Sequence, residues 1–282
     1  MTHDYKNVIQ NGADVVVAGI KHFDLAQTLD NGQAFRWQKI TDNCFSGIAH
    51  GRFLEVELTD ENLVLKSTTL EAFENIWRNY FDLGSSYTLL REKFSEHNTM
   101  ADALAFSPGL RLMRQDAWEM LVSFILSQNS NIPRIKKMIS SLCESYGEKL
   151  ENGFAFPTAE KLAQLTVEDL SIIKSGYRAA YIIDAARQVA SGELDLTKLS
   201  LLPTEEVRAA LLKVHGVGPK VADCVLLFGF ARTECFPLDV WMKRVMEKLY
   251  PSGFPTELND IAGIAQQFLF HYARVHGLDC KH

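Results

Sequence analysis

The chain has 282 residues, of which 47% are hydrophobic and 23% charged, with 17 Gly and 8 Pro. This is the composition of a folded globular protein, and it excludes a disordered, collagen-like or low-complexity chain. No apolar run approaches the roughly 18 residues of a membrane span, and the first 30 residues lack a signal-peptide pattern, so we expect a cytoplasmic protein without membrane contact. The formal net charge of −6 argues against a general polyanion binder.

Short apolar runs separated by turn residues occupy the first 68 residues, as in strands. The predicted strands are Val15–Gly19, Phe35–Ile40, Phe45–Ile48, Phe53–Leu58 and Leu63–Leu65. They indicate a small antiparallel sheet.

From Leu70 the apolar residues recur with a period near 3.6, which is typical of helices. Helices are predicted at about 70–82, 87–96, 116–127, 132–146, 159–164, 178–191, 204–214, 219–230, 239–249 and 258–274. The predicted fold is therefore α+β. We expect an N-terminal antiparallel sheet domain with flanking helices (1–105) packed on a mostly α-helical body (106–282).

Two predicted helices, over about 204–230, are joined by Gly216-Val217-Gly218. Pro219 suits the first turn of the second helix, so the two helices form a tight hairpin. Glycines at the turn and the free N–H groups of a helix start form a geometry that binds phosphate. By itself, the motif is more often the turn of an ordinary helix pair.

Lys220 follows this hairpin, and Asp239 follows in the segment Pro237-Leu238-Asp239. Taken singly, Lys220 would be a solvated lysine and Asp239 the N-cap of the next helix. Taken together, VHGVGPKVADC and FPLDV resemble the helix–hairpin–helix, Gly/Pro-Asp superfamily of DNA glycosylases. The segment 237–239 matches the superfamily's Pro-Asp motif.

The resemblance implies that Lys220 attacks C1′ of the damaged nucleotide and forms a Schiff base, which permits β-elimination of the 3′ phosphate. Asp239 would stabilise the developing positive charge of the sugar. A lysine at this position is typical of bifunctional glycosylase/lyases. No four-cysteine cluster follows Tyr250, which argues against the endonuclease III and adenine glycosylase branches.

Further segments are similar to the 8-oxoguanine DNA glycosylase family, over about residues 30–274. They are NGQAFRW (31–37), RLMRQD and FILSQNSNIPRI (within 111–135), SGYRAAY (175–181) and AQQFLF (265–270). The resemblance implies that the Gly32 carbonyl accepts the N7–H that distinguishes 8-oxoguanine from guanine. It also implies that Gln266 reads the Watson–Crick edge, and that Phe270 and Cys224 enclose the flipped base.

The resemblance assigns further residues to the duplex. Asn129 would fill the vacated stack beside Tyr177, while Arg134 and Arg178 would bond the orphaned cytosine. Gly216 and Gly218 would approach phosphate. The chain departs from the family pattern at His215, which replaces a proline and is interpreted as a packing change, and at Trp241, to which no role is assigned.

The expected partner is double-stranded DNA containing 8-oxoguanine, bound by a monomer that would lie at the nucleoid in a bacterium. No metal is expected to be required, although the resemblance implies a monovalent cation held by the carbonyls of Leu212, Val214 and Val217. The five cysteines are too widely spaced for a metal set and are expected to be reduced. Two alternatives stay open: the same chemistry on another damaged purine, and a non-catalytic DNA-binding protein that uses the hairpin for docking.

Overall fold

The computed structural model describes residues 3–277. The chain divides into two compact units. Unit 1 contains the residues up to Ser46, Leu54–Arg114 and the residues from Thr233 onward, and unit 2 contains Gly47–Phe53 and Gln115–Arg232. Within residues 3–277, no helix is both long and apolar enough to cross a membrane.

A six-stranded sheet forms the N-terminal part of the chain, in the order β1-β2-β6-β5-β4-β3. Strand β2 pairs antiparallel with β1 and β6, and β5 pairs antiparallel with β6. The strands are β1 Asn7–Asn11, β2 Asp14–Ala18, β3 Trp37–Thr41, β4 Cys44–Ala49, β5 Arg52–Thr59 and β6 Asn62–Leu65. A two-stranded ribbon of β7 Lys149–Leu150 and β8 Gly153–Phe154 follows much later.

The alternation of apolar residues that predicted the strands corresponds to an alternation of buried and partly exposed side chains. Val15 and Val17 are fully buried, whereas their neighbours along β2 are partly exposed. Strand β1 was not predicted, because its sequence NVIQN is polar and four of its five residues are exposed. It forms through its hydrogen bonds to β2, which period-2 hydrophobicity does not reveal.

Helices form most of the remaining chain, and every predicted helix is present. They are α1 Leu25–Leu29, α2 Leu70–Ala72, α3 Arg78–Tyr80, α4 Tyr87–Ser95, α5 Asn98–Phe106, α6 Ala117–Ser127, α7 Ile132–Tyr146, α8 Ala159–Ala163, α9 Arg178–Ala190, α10 Leu196–Leu199, α11 Thr204–Leu211, α12 Pro219–Gly229, α13 Val240–Leu249 and α14 Ala262–His276. A π-helical turn over Phe73–Trp77 joins α2 to α3, and 3₁₀ turns cover Asp169–Ile173 and Thr256–Ile261. The predicted α+β fold with a helix–hairpin–helix is confirmed; α1, α5 and α10 were not predicted.

The units divide the chain differently from the predicted domains 1–105 and 106–282. The chain leaves unit 1 after Arg114 and returns to it at Thr233, so α13 and α14 belong with the sheet. Within unit 1, α14 packs against α5 and α13. The hydrophobic period of a segment indicates whether it forms a helix or a strand. It does not indicate which hydrophobic core the apolar face of that element will join.

A buried ion pair holds unit 1 together at the start of its chain. Arg111 is 1% exposed, and its Nη2 lies 2.9 Å from Oδ2 of Asp4. The guanidinium also donates to the carbonyls of Lys21, His22 and Asp82. Burial alone would raise the pKa of the Asp4 carboxyl, but hydrogen bonds from Thr88 and Tyr87, with the charge of Arg111, hold this pKa below its ordinary value.

We predict that Arg111→Met lowers the free energy of unfolding by about 3–5 kcal/mol, because it leaves the Asp4 carboxylate buried without a partner. Urea unfolding followed by circular dichroism would measure the change. Lys39→Met is the control, because it removes an ion pair with Asp42 on an exposed hairpin and should leave the midpoint unchanged. Equal midpoints for the two variants would contradict the prediction.

Candidate active site

The helix–hairpin–helix of unit 2 has one glycine that its backbone requires. Gly216 has a φ of +82°, and a Cβ at this position would lie 2.2 Å from Cδ2 of the Tyr181 ring. Gly218 has ordinary backbone angles, and a Cβ there would meet nothing within 4 Å. Gly218 precedes α12 and provides no side-chain cap, so the N–H groups of the first turn are not capped by a side chain. Such a helix start can bind phosphate oxygen.

Aromatic rings support this turn from α9. The ring of His215 packs edge-on against Tyr181, with 4.6 Å between centroids, and Tyr177 packs against Tyr181 at 5.6 Å. The interpretation of His215 as a packing residue therefore agrees with its position. Tyr177 itself is 54% exposed, and the Cζ of Arg178 lies 4.6 Å from the centroid of its ring.

Lys220 lies in the first turn of α12, directly after the uncapped turn. It is partly exposed, and its Nζ lies 5.3 Å from the centroid of the Phe124 ring. Phe124 in turn stacks on Phe228. The amine is thus placed against an apolar aromatic surface, at a distance typical of a cation–π contact. Cys224, one turn further along α12, is 3% exposed.

The segment after α6 carries the residue predicted to fill the DNA stack. Asn129 is exposed and has a φ of +46°, a left-handed conformation that asparagine tolerates better than most residues. Arg178 holds this segment: its Nη2 donates to the carbonyls of Asn129 (3.1 Å) and Gln128, and its Nη1 donates to that of Ser175.

The two arginines predicted to read cytosine therefore differ in this structure. Arg178 is 3% exposed and its guanidinium is directed at backbone carbonyls, so it positions Asn129. Arg134 is exposed on the first turn of α7, where Asn131 caps the helix. Only Arg134 presents its side chain to solvent in this conformation.

In unit 1, Asp239 caps α13 through its Oδ1, which accepts a hydrogen bond of 2.8 Å from the N–H of Met242. The interpretation of Asp239 as an N-cap is thus correct, and the start of the helix favours its negative charge. Gln266 is 3% exposed and donates to the carbonyl of Pro237, which ties α14 to the Pro-Asp segment. Trp241 lies against the guanidinium of Arg244 at 5.3 Å.

Unit 1 also brings together two predicted pocket segments that are far apart in the chain. Arg274 donates to the carbonyls of Asp30 and Asn31, at 3.5 and 3.4 Å, and its Cζ lies 5.8 Å from the centroid of Phe270. The turn of Gly32, with a φ of +96°, is thereby linked to the face of α14 that carries Gln266 and Phe270. Burial lowers the pKa of the Arg274 guanidinium, and the Asp30 carboxylate acts in the opposite direction.

Comparison with known proteins accounts for this arrangement. Residues 15–121 match the model of the 8-oxoguanine DNA glycosylase N-terminal domain, and residues 122–258 match that of HhH-GPD superfamily base excision DNA repair proteins. A probable N-glycosylase/DNA lyase of Methanothermobacter thermautotrophicus is 31% identical, over 91% of this chain and 95% of the relative. The chain belongs to the 8-oxoguanine DNA glycosylase family.

Two further relatives support this membership. The N-glycosylase/DNA lyase of Saccharomyces cerevisiae is 32% identical, over 80% of this chain and 68% of the yeast protein. The Clostridium acetobutylicum 8-oxoguanine glycosylase/lyase, crystallised with double-stranded DNA containing cytosine opposite 8-oxoguanine, is 36% identical with a TM-score of 0.90, over 96% of this chain and 98% of that one. The glycosylase is therefore an enzyme of the bifunctional glycosylase/lyase class, which disfavours the docking-only alternative.

Several residues that hold the site of the glycosylase were not singled out from the sequence. Arg274 lies four residues after Phe270 and eight after Gln266, so helical spacing alone could have placed it on their face. Tyr181 belongs to the matched segment 175–181, but the sequence carries no sign that its ring would contact Gly216. Cys44, Cys143, Cys224 and Cys235 are buried and form no disulfide within residues 3–277, and Cys280 lies outside the described residues.

We predict that Gly216→Ala destabilises the glycosylase and weakens its affinity for duplex DNA, whereas Gly218→Ala folds with unchanged stability. A left-handed alanine costs about 1–2 kcal/mol, to which the overlap with Tyr181 is added. Urea unfolding and fluorescence anisotropy with an undamaged duplex would measure the two effects. The double variant Gly216→Ala/Tyr181→Ala removes the overlap with the Tyr181 ring. It should therefore retain only the loss of stability that comes from the left-handed backbone of the alanine. Equal stability of the two glycine variants would contradict the prediction.

Proposed function

We propose that this glycosylase excises 8-oxoguanine paired with cytosine and then cleaves the abasic site, with Lys220 as the nucleophile of both steps. The observation that carries the proposal is the position of Lys220. Its amine lies against Phe124, in the first turn of α12, immediately after a helix start that is free to bind DNA phosphate. Phosphate docking alone would not require an amine held at an apolar ring.

The reaction needs a neutral amine at a sugar carbon. The Lys220 Nζ forms a bond to C1′ as the bond from C1′ to the base nitrogen breaks, and the base leaves with a proton. Opening of the sugar ring, in which O4′ takes up a proton, gives an imine between Nζ and C1′. The imine acidifies the C2′ proton, and loss of this proton to water accompanies the β-elimination that expels the 3′ phosphate. Asp239 stabilises the positive charge that develops on the sugar during the first step.

Recognition of the base rests on unit 1 and on Cys224. The Gly32 carbonyl accepts the N7–H of 8-oxoguanine and repels the N7 lone pair of guanine. Gln266 uses one amide hydrogen on Pro237 and one oxygen lone pair on Gln267, so one donor and one acceptor remain for the edge of a base. Phe270 and Cys224 pack against the two faces of the flipped base.

On the opposite strand, Asn129 enters the vacated stack, Tyr177 wedges beside it, and Arg134 bonds the orphaned cytosine. Arg178 also bonds this cytosine, but only after its guanidinium releases the backbone carbonyls of residues 128 and 129. The proposal also includes a monomer in the cytoplasm, at the nucleoid of a bacterial host. A monovalent cation binds the carbonyls of Leu212, Val214 and Val217 at the hairpin.

We predict that borohydride traps a covalent adduct between the wild-type protein and a duplex with one 8-oxoguanine·cytosine pair, and that Lys220→Gln gives none. Gel electrophoresis under denaturing conditions would detect the adduct. Lys198→Gln is the control, since Lys198 pairs with Asp195 on the surface of unit 2 and the adduct should form normally. A trapped adduct with Lys220→Gln would show that Lys220 is not the nucleophile. Excision of another purine in preference to 8-oxoguanine would show that the proposed substrate is wrong.

We predict that Arg134→Gln flattens the dependence of excision on the opposite base and leaves stability unchanged, because Arg134 is exposed. Arg178→Gln should flatten this dependence and also cost about 1–3 kcal/mol of stability, because the buried Ser175 carbonyl and the part-buried carbonyls of Gln128 and Asn129 lose their donor. Single-turnover excision opposite each of the four bases, with urea unfolding, separates the two effects. An unchanged ranking of opposite bases in both variants would reject their role.

A further inference from the structure

The Gly32 turn has a side chain that controls the direction of its peptide. Asn31 is fully buried, and its Oδ1 accepts a hydrogen bond of 3.2 Å from the N–H of Gln33. The N–H of Gln33 and the carbonyl of Gly32 belong to the same planar peptide and point in opposite directions. The Asn31 amide therefore directs the Gly32 carbonyl away from itself.

The residue after this peptide is also held from several sides. The Gln33 side chain is fully buried and donates to the carbonyls of Thr28 and Arg111, each at 2.8 Å. Its Oε1 accepts from the N–H of Met113 at 2.9 Å. Gln33 thus anchors the turn to the segment 111–113, and little rotation of the Gly32–Gln33 peptide is left.

Arg274 controls the peptides before Gly32. Its guanidinium donates to the Asp30 and Asn31 carbonyls through separate nitrogens, which a planar fork can do without distortion. The same group lies over the Phe270 ring. One half-buried arginine therefore links the Gly32 turn to the ring proposed to stack on the base.

We propose that Asn31 and Arg274 are positioning residues that set the specificity of the glycosylase by orienting the Gly32 carbonyl. The inference rests on the proposed function, since it concerns the carbonyl that accepts N7–H. A hydrogen bond prefers a donor–hydrogen–acceptor angle above about 150° and weakens steeply below about 120°, so discrimination by a single carbonyl requires a fixed direction. A backbone carbonyl cannot be replaced by mutation, but the two side chains that orient it can.

The test compares two activities of the same variant. Excision of 8-oxoguanine requires the Gly32 carbonyl, whereas cleavage of a preformed abasic site requires the Lys220 amine and no base. In Arg274→Gln and Asn31→Ala we expect single-turnover excision to fall about tenfold or more, with abasic-site cleavage within twofold of wild type. The loss should lie in the maximal rate rather than in the duplex concentration that gives half of it, because the affinity for DNA phosphate is unchanged.

Conservative variants and a control complete the design. Asn31→Ser should recover part of the excision lost in Asn31→Ala, since a hydroxyl can accept a hydrogen bond from the N–H two residues later. Arg274→Lys should lie between wild type and Arg274→Gln, because an ammonium keeps the charge without the fork. Arg78→Gln, which removes an exposed ion pair with Glu74 elsewhere in unit 1, should leave both activities unchanged.

The outcomes are distinct. Equal losses of excision and abasic-site cleavage would indicate a general structural role and overturn the inference, as would unchanged excision in both Arg274→Gln and Asn31→Ala. A wild-type protein that cleaves abasic sites but does not excise 8-oxoguanine would overturn the proposed substrate and the inference with it. Selective loss of excision, with recovery in Asn31→Ser, is the result we expect.

Discussion

The buried ion pair between Arg111 and Asp4 is the interaction on which the rest of unit 1 depends. The Arg111 side chain is fixed by Asp4 and by the carbonyls of Lys21, His22 and Asp82, which lie in two chain segments that precede it. Its own backbone carbonyl accepts the amide of Gln33, the residue after Gly32. A charged group that is costly to bury is thus fully satisfied, and the segment that it orders supports the turn proposed to read the lesion.

Other backbone positions of the candidate site are also held in place by side chains. Gly32, Asn129 and Gly216 all have positive φ angles, and each lies beside a buried or packed side chain from another part of its own unit. Arg274 and Asn31 hold the first, Arg178 the second, and the Tyr181 ring covers the third. Sparsely populated backbone conformations persist only where their surroundings determine them, and they concentrate at functional sites. The groups proposed to contact DNA are therefore held in place by side chains that come from other parts of the chain.

The net charge of the chain is −6, and three of its arginines bond to backbone groups of the protein itself. Arg111, Arg178 and Arg274 all direct N–H groups at backbone carbonyls, so these donors are not available to DNA phosphate in this conformation. The segments 109–150 and 213–248 nevertheless each hold 6 basic and 4 acidic residues. DNA binding would then depend on a few placed contacts, such as the uncapped start of α12, and the affinity for undamaged duplex should be correspondingly modest.

The sequence by itself determined most helices, most strands and the residues of the hairpin, because these depend on local periodicity, capping and turn chemistry. It also determined the family, since the motifs that carry the resemblance are short and contiguous. Tertiary structure alone decided that α13 and α14 join the sheet in unit 1, that the polar strand β1 completes this sheet, and that Arg178 is buried against carbonyls rather than exposed. It also decided that Arg274 meets the Gly32 turn across more than 240 residues of chain. These features depend on contacts between groups that are distant in the chain. The residue pattern of a short segment contains no information about such contacts.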